Sequence, residues 1–161
     1  IKVLSLLLIL LMPVMSRGQE NGKAGEVQFD KDEMLKLVNE ARSESRLCGQ
    51  ERQEATHEVG WDKNLTRAAK KHANDMEENQ FFGHTGSDGS TVVLRVERED
   101  YVWRAVGENV AQGPRTVSDA MNGWLESPGH CRNIMNPDFR EMGAAVSDDG
   151  KYWVQVFAAP R

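Results

Sequence analysis

The sequence predicts an α+β domain, a three-layer α-β-α sandwich around a central, mainly antiparallel sheet. Three observations carry this. Segments with apolar residues at helical spacing come first, and a β-hairpin pattern closes the chain. Both faces of the hairpin's second strand are apolar, so the sheet is expected to be covered on each side. The 161 residues are most simply one folded domain, and 39% apolar residues suffice for a core.

Taken in order, residues 1–18 read as a secretory signal peptide. One lysine precedes an apolar run from Val3 to Met12, followed by Pro13 and small residues near Ser16 and Gly18. The run is too short to span a bilayer unaided. A retained membrane anchor is the alternative. Residues 19–28 then form a polar linker and 29–161 the folded domain. On the export reading the mature protein is secreted, extracellular and not integral to a membrane.

The first helix is signalled by "DKDEMLKLVNEARSESRLCG". Asp30 caps it, Glu33 takes the capping-box position, and Met34, Val38 and Ala41 repeat at helical spacing. Gly49 is expected to stop it, with Cys48 in the last turn. A polar loop, "QERQEATHEV", follows, with His57 facing solvent. The second helix, "WDKNLTRAAKKHANDMEENQ", lines up Leu65, Ala69, His72 and Met76. On that stripe His72 reads as a satisfied boundary residue. Asn64-Leu65-Thr66 is a possible glycosylation site in a eukaryotic secretory pathway, and equally an ordinary helix start.

"FFGHTGSDGST" is a loop, without the Gly-Lys-Ser/Thr ending of a phosphate-binding P-loop. Its phenylalanines can anchor it while His84 points elsewhere. "TVVLRVERED" fits a short helix or a strand equally. "YVWRAVGENVAQG" sets Glu108 and Asn109 between apolar residues. Thr116 caps a further helix, with Asp119 at N3 and Val117, Ala120, Met121 and Trp124 inward. Ser127-Pro128-Gly129 is expected to end it, leaving His130 and Cys131 just past its C-terminus. "MGAAV" and "YWVQVFAAP" make the hairpin around Asp149-Gly150. Tyr152, Val154 and Val156 face one way, and Trp153, Phe157 and Ala159 the other.

Charge narrows the function classes. The net charge is −5 and no basic stripe appears, which argues against nucleic acid as a partner. A monomer is the default. Two cysteines, Cys48 and Cys131, fit a disulfide bridge in an oxidising compartment, a metal ligand or a thiol nucleophile. They are too far apart for a zinc knuckle.

Four residues near loops or helix ends could carry chemistry: His84, Glu108, Glu126 and His130. Two imidazoles and two carboxylates suit a divalent cation such as Zn2+, or acid–base work. There is no H-E-x-x-H helix and no G-x-S-x-G elbow. By spacing alone, polar residues this scattered would usually be surface.

The ordered segments "FFGHTG", "GENVAQG", "WLESPGHCRNIMNP" and "YWVQVFA" resemble the CAP superfamily, also called SCP-like, in its short bacterial or fungal form. The similarity runs from about Phe29 to Arg161. It implies a central cleft holding His84, Glu108 and His130, with Glu126 as the second acid. It also implies a Cys48–Cys131 bridge, which makes Cys131 scaffold, and a structural role for "VNEAR", Asn39 to Arg42. The cysteine-rich C-terminal extension of larger members is missing, so functions tied to it do not carry over. The resemblance implies a secreted binding module for a divalent metal, a small lipid or a sterol, with no cofactor needed for folding. The alternatives are a zinc-dependent hydrolase and a structural or host-interaction domain with a vestigial cleft.

Overall fold

The computed structural model describes Val27 and residues 29–161. The expected signal peptide, 1–18, and all of the expected linker but Val27 lie outside the described residues. Helix α1 (Lys31–Arg42) starts where Asp30 Oδ1 accepts from the backbone N–H of Asp32 and Glu33. It stops at Ser43, well before Gly49, because the Ser43 hydroxyl donates back to the Glu40 carbonyl and "SES" offers no apolar repeat. Cys48 therefore sits in a strand. The segment read as a polar loop contains a small hairpin, β1 (Arg46–Cys48) and β2 (Glu51–Gln53), turning at Gly49 with φ +68°. His57, beyond it, is exposed as expected.

Strand β3 (Gly60–Trp61) leads into α2 (Lys63–Glu78), capped by Asp62. Asn64 lies in its first turn and accepts from Arg67 Nη2. The ambiguous "TVVLRVERED" resolves as a helix, α3 (Val92–Glu97), capped by Thr91. Strand β4 (Trp103–Gln112) carries Glu108 and Asn109, and α4 (Val117–Glu126) starts at Thr116 as expected. Ser127-Pro128-Gly129 does not lead into a loop. Ser127 takes extended backbone, and Pro128 opens a new helix, α5 (Pro128–Met135). Proline lacks the N–H that a helix's first turn leaves unbonded anyway, so it starts a helix as readily as it stops one. His130 and Cys131 thus lie in the first turn of α5.

The hairpin strands β5 (Glu141–Val146) and β6 (Tyr152–Pro160) pair antiparallel. The main sheet runs β3-β5-β6-β4, with β3 parallel to β5 and the other pairs antiparallel. Trp153 and Phe157 pack against Met34 and Val38 of α1, Trp124 of α4 and Ile134 of α5. Tyr152, Val154 and Val156 pack against Leu65, Ala69 and Met76 of α2 and Val96 of α3. Helices thus cover both faces, which is the three-layer sandwich. Gly143 lets α2 approach the sheet closely: a Cβ there would lie 2.2 Å from Thr66 N and 2.5 Å from Leu65 C.

Two long-range devices fix α5. Cys48 and Cys131 form a disulfide that ties its first turn to β1. Arg42, fully buried, donates to the carbonyls of His57 (2.8 Å), Ile134 (2.6 Å), Asn136 (3.0 Å) and Phe139 (3.3 Å). Asn39 exchanges two hydrogen bonds with the Val59 backbone, at 3.1 and 2.9 Å. "VNEAR" is structural, as the resemblance implied.

Candidate functional site

The glycine loop between α2 and α3 carries His84, whose side chain is 58% exposed. Its Nδ1 lies 2.9 Å from Glu108 Oε1 on β4. The Glu108 carboxylate is buried, and its other oxygen accepts from Arg95 Nη2 at 2.7 Å. Arg95, on α3, also donates to the carbonyls of His84 (3.0 Å) and Ser90 (2.8 Å). One guanidinium therefore fixes both the loop backbone and the carboxylate that orients the imidazole. The planar fork suits this, because it holds several donors in fixed directions.

His72 lies beneath. It is fully buried, with Nε2 2.9 Å from the Gly83 carbonyl and 3.9 Å from Glu108 Oε1. It is not the satisfied boundary residue expected, since among the described residues its Nδ1 has no hydrogen-bond partner. Burial holds its pKa below the ordinary imidazole value, against the opposing pull of Glu108.

His130 is half-buried in the first turn of α5. A network of buried amides sets that turn against β4. Asn109 Nδ2 donates to the His130 carbonyl at 3.2 Å and to Gln155 Oε1 at 3.0 Å. Asn133 Nδ2 donates to the Glu108 carbonyl at 3.0 Å and to Asn109 Oδ1 at 2.9 Å. His130 is close enough to His84 for the charge of that imidazole to matter. Burial, and then His84, hold its pKa down. His84 is pushed the other way, chiefly by its hydrogen bond to Glu108. Two neighbouring imidazoles thus differ in proton affinity, His84 the more basic.

The fold brings His84 and Glu108 into contact, and places the backbone of His130 against β4 through Asn109. Glu126, exposed at the end of α4, makes no hydrogen bond or ion pair with them. Among the described residues no group of three or more His, Cys, Asp or Glu side chains is placed to hold a metal ion. The donor set does not fit a resident zinc, structural or catalytic, which takes at least three protein ligands. Arg95 and His72 escape sequence reasoning. An arginine among valines in a short helix looks solvated, and nothing local marks His72 as reaching Glu108.

A three-layer sandwich with a histidine–carboxylate pair at the sheet's edge strand defines an SCP-like domain. The chain belongs to the cysteine-rich secretory protein (CAP) family, whose sequence model matches residues 35–157. It is 28% identical over 96 residues to the uncharacterized protein YkwD of Bacillus subtilis, spanning 60% of this chain and 37% of that one. An SCP-domain extracellular protein from Bacillus anthracis superposes with a TM-score of 0.69 at 28% identity, covering 80% of this chain and 39% of that one. The chain thus spans well under half the length of either relative. NaASP2, solved with Zn2+, shares the fold at a TM-score of 0.55 and 16% identity, covering 84% of this chain and 82% of that one. No helix among the described residues is long and apolar enough to cross a membrane.

Proposed function

We propose that this protein is an extracellular binding module whose cleft, built on His84, Glu108 and His130, takes an exchangeable divalent cation through its two imidazoles. One observation carries the reading: His84 places Nδ1 on the buried Glu108 carboxylate, which leaves Nε2 without a partner among the described residues. Metal-binding histidines characteristically give their second ring nitrogen to a carboxylate, which fixes the tautomer. His130 supplies the second imidazole. The zinc found with NaASP2 agrees in kind. With two protein donors the ion would be loosely held and largely hydrated, so binding is favoured over hydrolysis. Export is supported by the disulfide, by the apolar leader in the sequence and by likeness to an extracellular protein.

Calorimetric titration of the protein with Zn2+ tests the reading. One ion per chain is expected, with affinity falling as the pH drops through the histidine range, because protons compete for the imidazoles. His84→Ala and His130→Ala should each abolish measurable binding. Glu108→Gln should weaken it by about 10- to 100-fold. Unchanged affinity in either alanine variant would remove the site from these residues.

A further inference from the structure

The glycine loop that carries His84 is gripped from both neighbouring helices. At its start His72 of α2 meets the Gly83 carbonyl at 2.9 Å, and Arg95 Nη2 of α3 donates to the His84 carbonyl at 3.0 Å. At its end Arg95 Nη1 donates to the Ser90 carbonyl at 2.8 Å. Its tip is held by Asp75 of α2, whose Oδ2 accepts from the Ser87 N–H at 2.9 Å while Oδ1 accepts from the Ser87 hydroxyl. Between these points the loop bonds to itself. The Gly86 N–H donates to the Ser90 carbonyl and the Gly89 N–H to the Gly86 carbonyl, each at 2.8 Å.

Asp75 sits where the helix itself gains nothing from it. It lies in the last turn of α2, where a carboxylate meets the negative end of the helix dipole, and aspartate is a poor helix former. Alanine would suit that turn better. Besides Ser87, Asp75 accepts from Asn79 Nδ2 at 2.9 Å. Among the described residues it makes no hydrogen bond or ion pair with His84, Glu108 or His130. Whatever it contributes to the cleft therefore passes through the loop.

That contribution has a visible route. Arg95 Nη2 bonds both the His84 carbonyl and Glu108 Oε2, while Glu108 Oε1 meets His84 Nδ1. The main chain and the imidazole of one residue are thus tied into a closed ring. The ring needs the loop backbone to deliver the His84 carbonyl to Arg95, and the Gly86 and Gly89 bonds carry the hold on Ser87 towards that point. A group already fixed in its bound arrangement gives up less freedom on binding.

We infer that Asp75 is a positioning residue for the cleft. By anchoring the loop tip at Ser87 it keeps His84 in the one tautomer, Nδ1 protonated, that leaves Nε2 as the open lone pair, and so raises the affinity of the cleft for its cation. The affinity part rests on the cation reading given above; the positioning of the imidazole does not.

Asp75→Ala tests this, with Ser87→Ala as the second variant, since Ser87 is exposed and losing its hydroxyl leaves the core untouched. In the cation-free protein, at a pH where the imidazoles are neutral, long-range proton–nitrogen correlation spectra read the tautomer of each ring. In both variants His84 should pass from the Nδ1–H form alone to a mixture with the Nε2–H form, while His57, outside the loop, keeps its spectrum. The Gly86 and Gly89 amides should exchange at least about tenfold faster, and those of α4 as before. Zn2+ affinity by calorimetry should fall by about 3- to 30-fold in Asp75→Ala. An unmoved His84 tautomer, exchange quickened equally in α4, or an affinity equal to that of a Zn2+-binding wild type would each overturn the proposal. A wild type that takes up no Zn2+ would overturn the affinity part together with the cation reading, and the tautomer and exchange rates would still decide the positioning.

Discussion

Arg95 and Glu108 form a buried ion pair, with Nη2 2.7 Å from Oε2 and side chains 7% and 1% exposed. Removing one partner of such a pair leaves the other charge uncompensated. Glu108→Gln keeps the size but removes the charge, so Arg95 loses its counterion. The expected cost is about 3–5 kcal/mol, read as a lower midpoint in chemical denaturation. The same change turns the charged acceptor of the hydrogen bond that chiefly raises the His84 pKa into a neutral one. NMR titration should show that imidazole protonating at lower pH in the variant. An unmoved His84 titration with a lowered denaturation midpoint would separate the ion pair from the histidine contact.

His72 makes stability depend on pH. Its folded-state pKa lies below the ordinary value, mainly through burial, so the unfolded chain binds its proton first as pH falls. Stability from this group is therefore full above the unfolded histidine value, about 6.5, and is lost as pH falls through the folded one. His130 acts in the same direction, since its pKa is also lowered. His84 acts oppositely, its contribution present at low pH and lost as pH rises through its raised value, but it is largely exposed. Urea midpoints should fall between pH 7 and pH 5 for the wild type. His72→Gln, unable to titrate, should show a flatter profile, whatever its absolute stability.

These two cases mark what the sequence shows and what it hides. The helices under Asp30 and Thr116 are legible because a cap and an apolar period agree, and the Asp149-Gly150 hairpin because its turn chemistry and alternation agree. Strand β4 is obscured by Glu108 and Asn109, polar residues buried in its middle that break the alternation. Helix α5 is hidden because Pro128 fits both a stop and a start. The meeting of His84 with Glu108 is legible through family resemblance rather than through spacing, since residues so far apart give no local sign of meeting. Arg95 has no such support. Its burial depends on a carboxylate 13 residues away, on another element.

Gly143 tests how tightly α2 lies on the sheet. The atoms its Cβ would meet are backbone, Thr66 N and Leu65 C, and cannot rotate aside like a side chain. Gly143→Ala must push the helix off β5. Overpacking of this kind costs about 1–3 kcal/mol. Elsewhere in a strand, replacing glycine by alanine would be neutral or stabilising, so a lowered melting temperature is the diagnostic sign. A stability equal to wild type would mean the helix can slide without loss.

Arg42 offers the sharpest separation of charge from geometry. Burial, and then the nearby Arg140, lower its pKa to about 10, so it remains charged at neutral pH. Among the described residues no carboxylate answers that charge; its partners are four carbonyls, from His57, Ile134, Asn136 and Phe139. Ile134 lies in α5, and Asn136 and Phe139 lie in the segment joining α5 to β5, so the guanidinium pins the helix that carries His130. Lysine keeps the charge but offers one nitrogen in place of a planar fork, and it cannot reach carbonyls on several sides at once. Arg42→Lys should therefore cost about 2 kcal/mol or more, since buried carbonyls lose their donors. Faster hydrogen exchange should appear at the α5 amides, while α2, which Arg42 does not touch, should exchange as before. Protection lost equally in both helices would show that Arg42 holds the whole fold rather than this one segment.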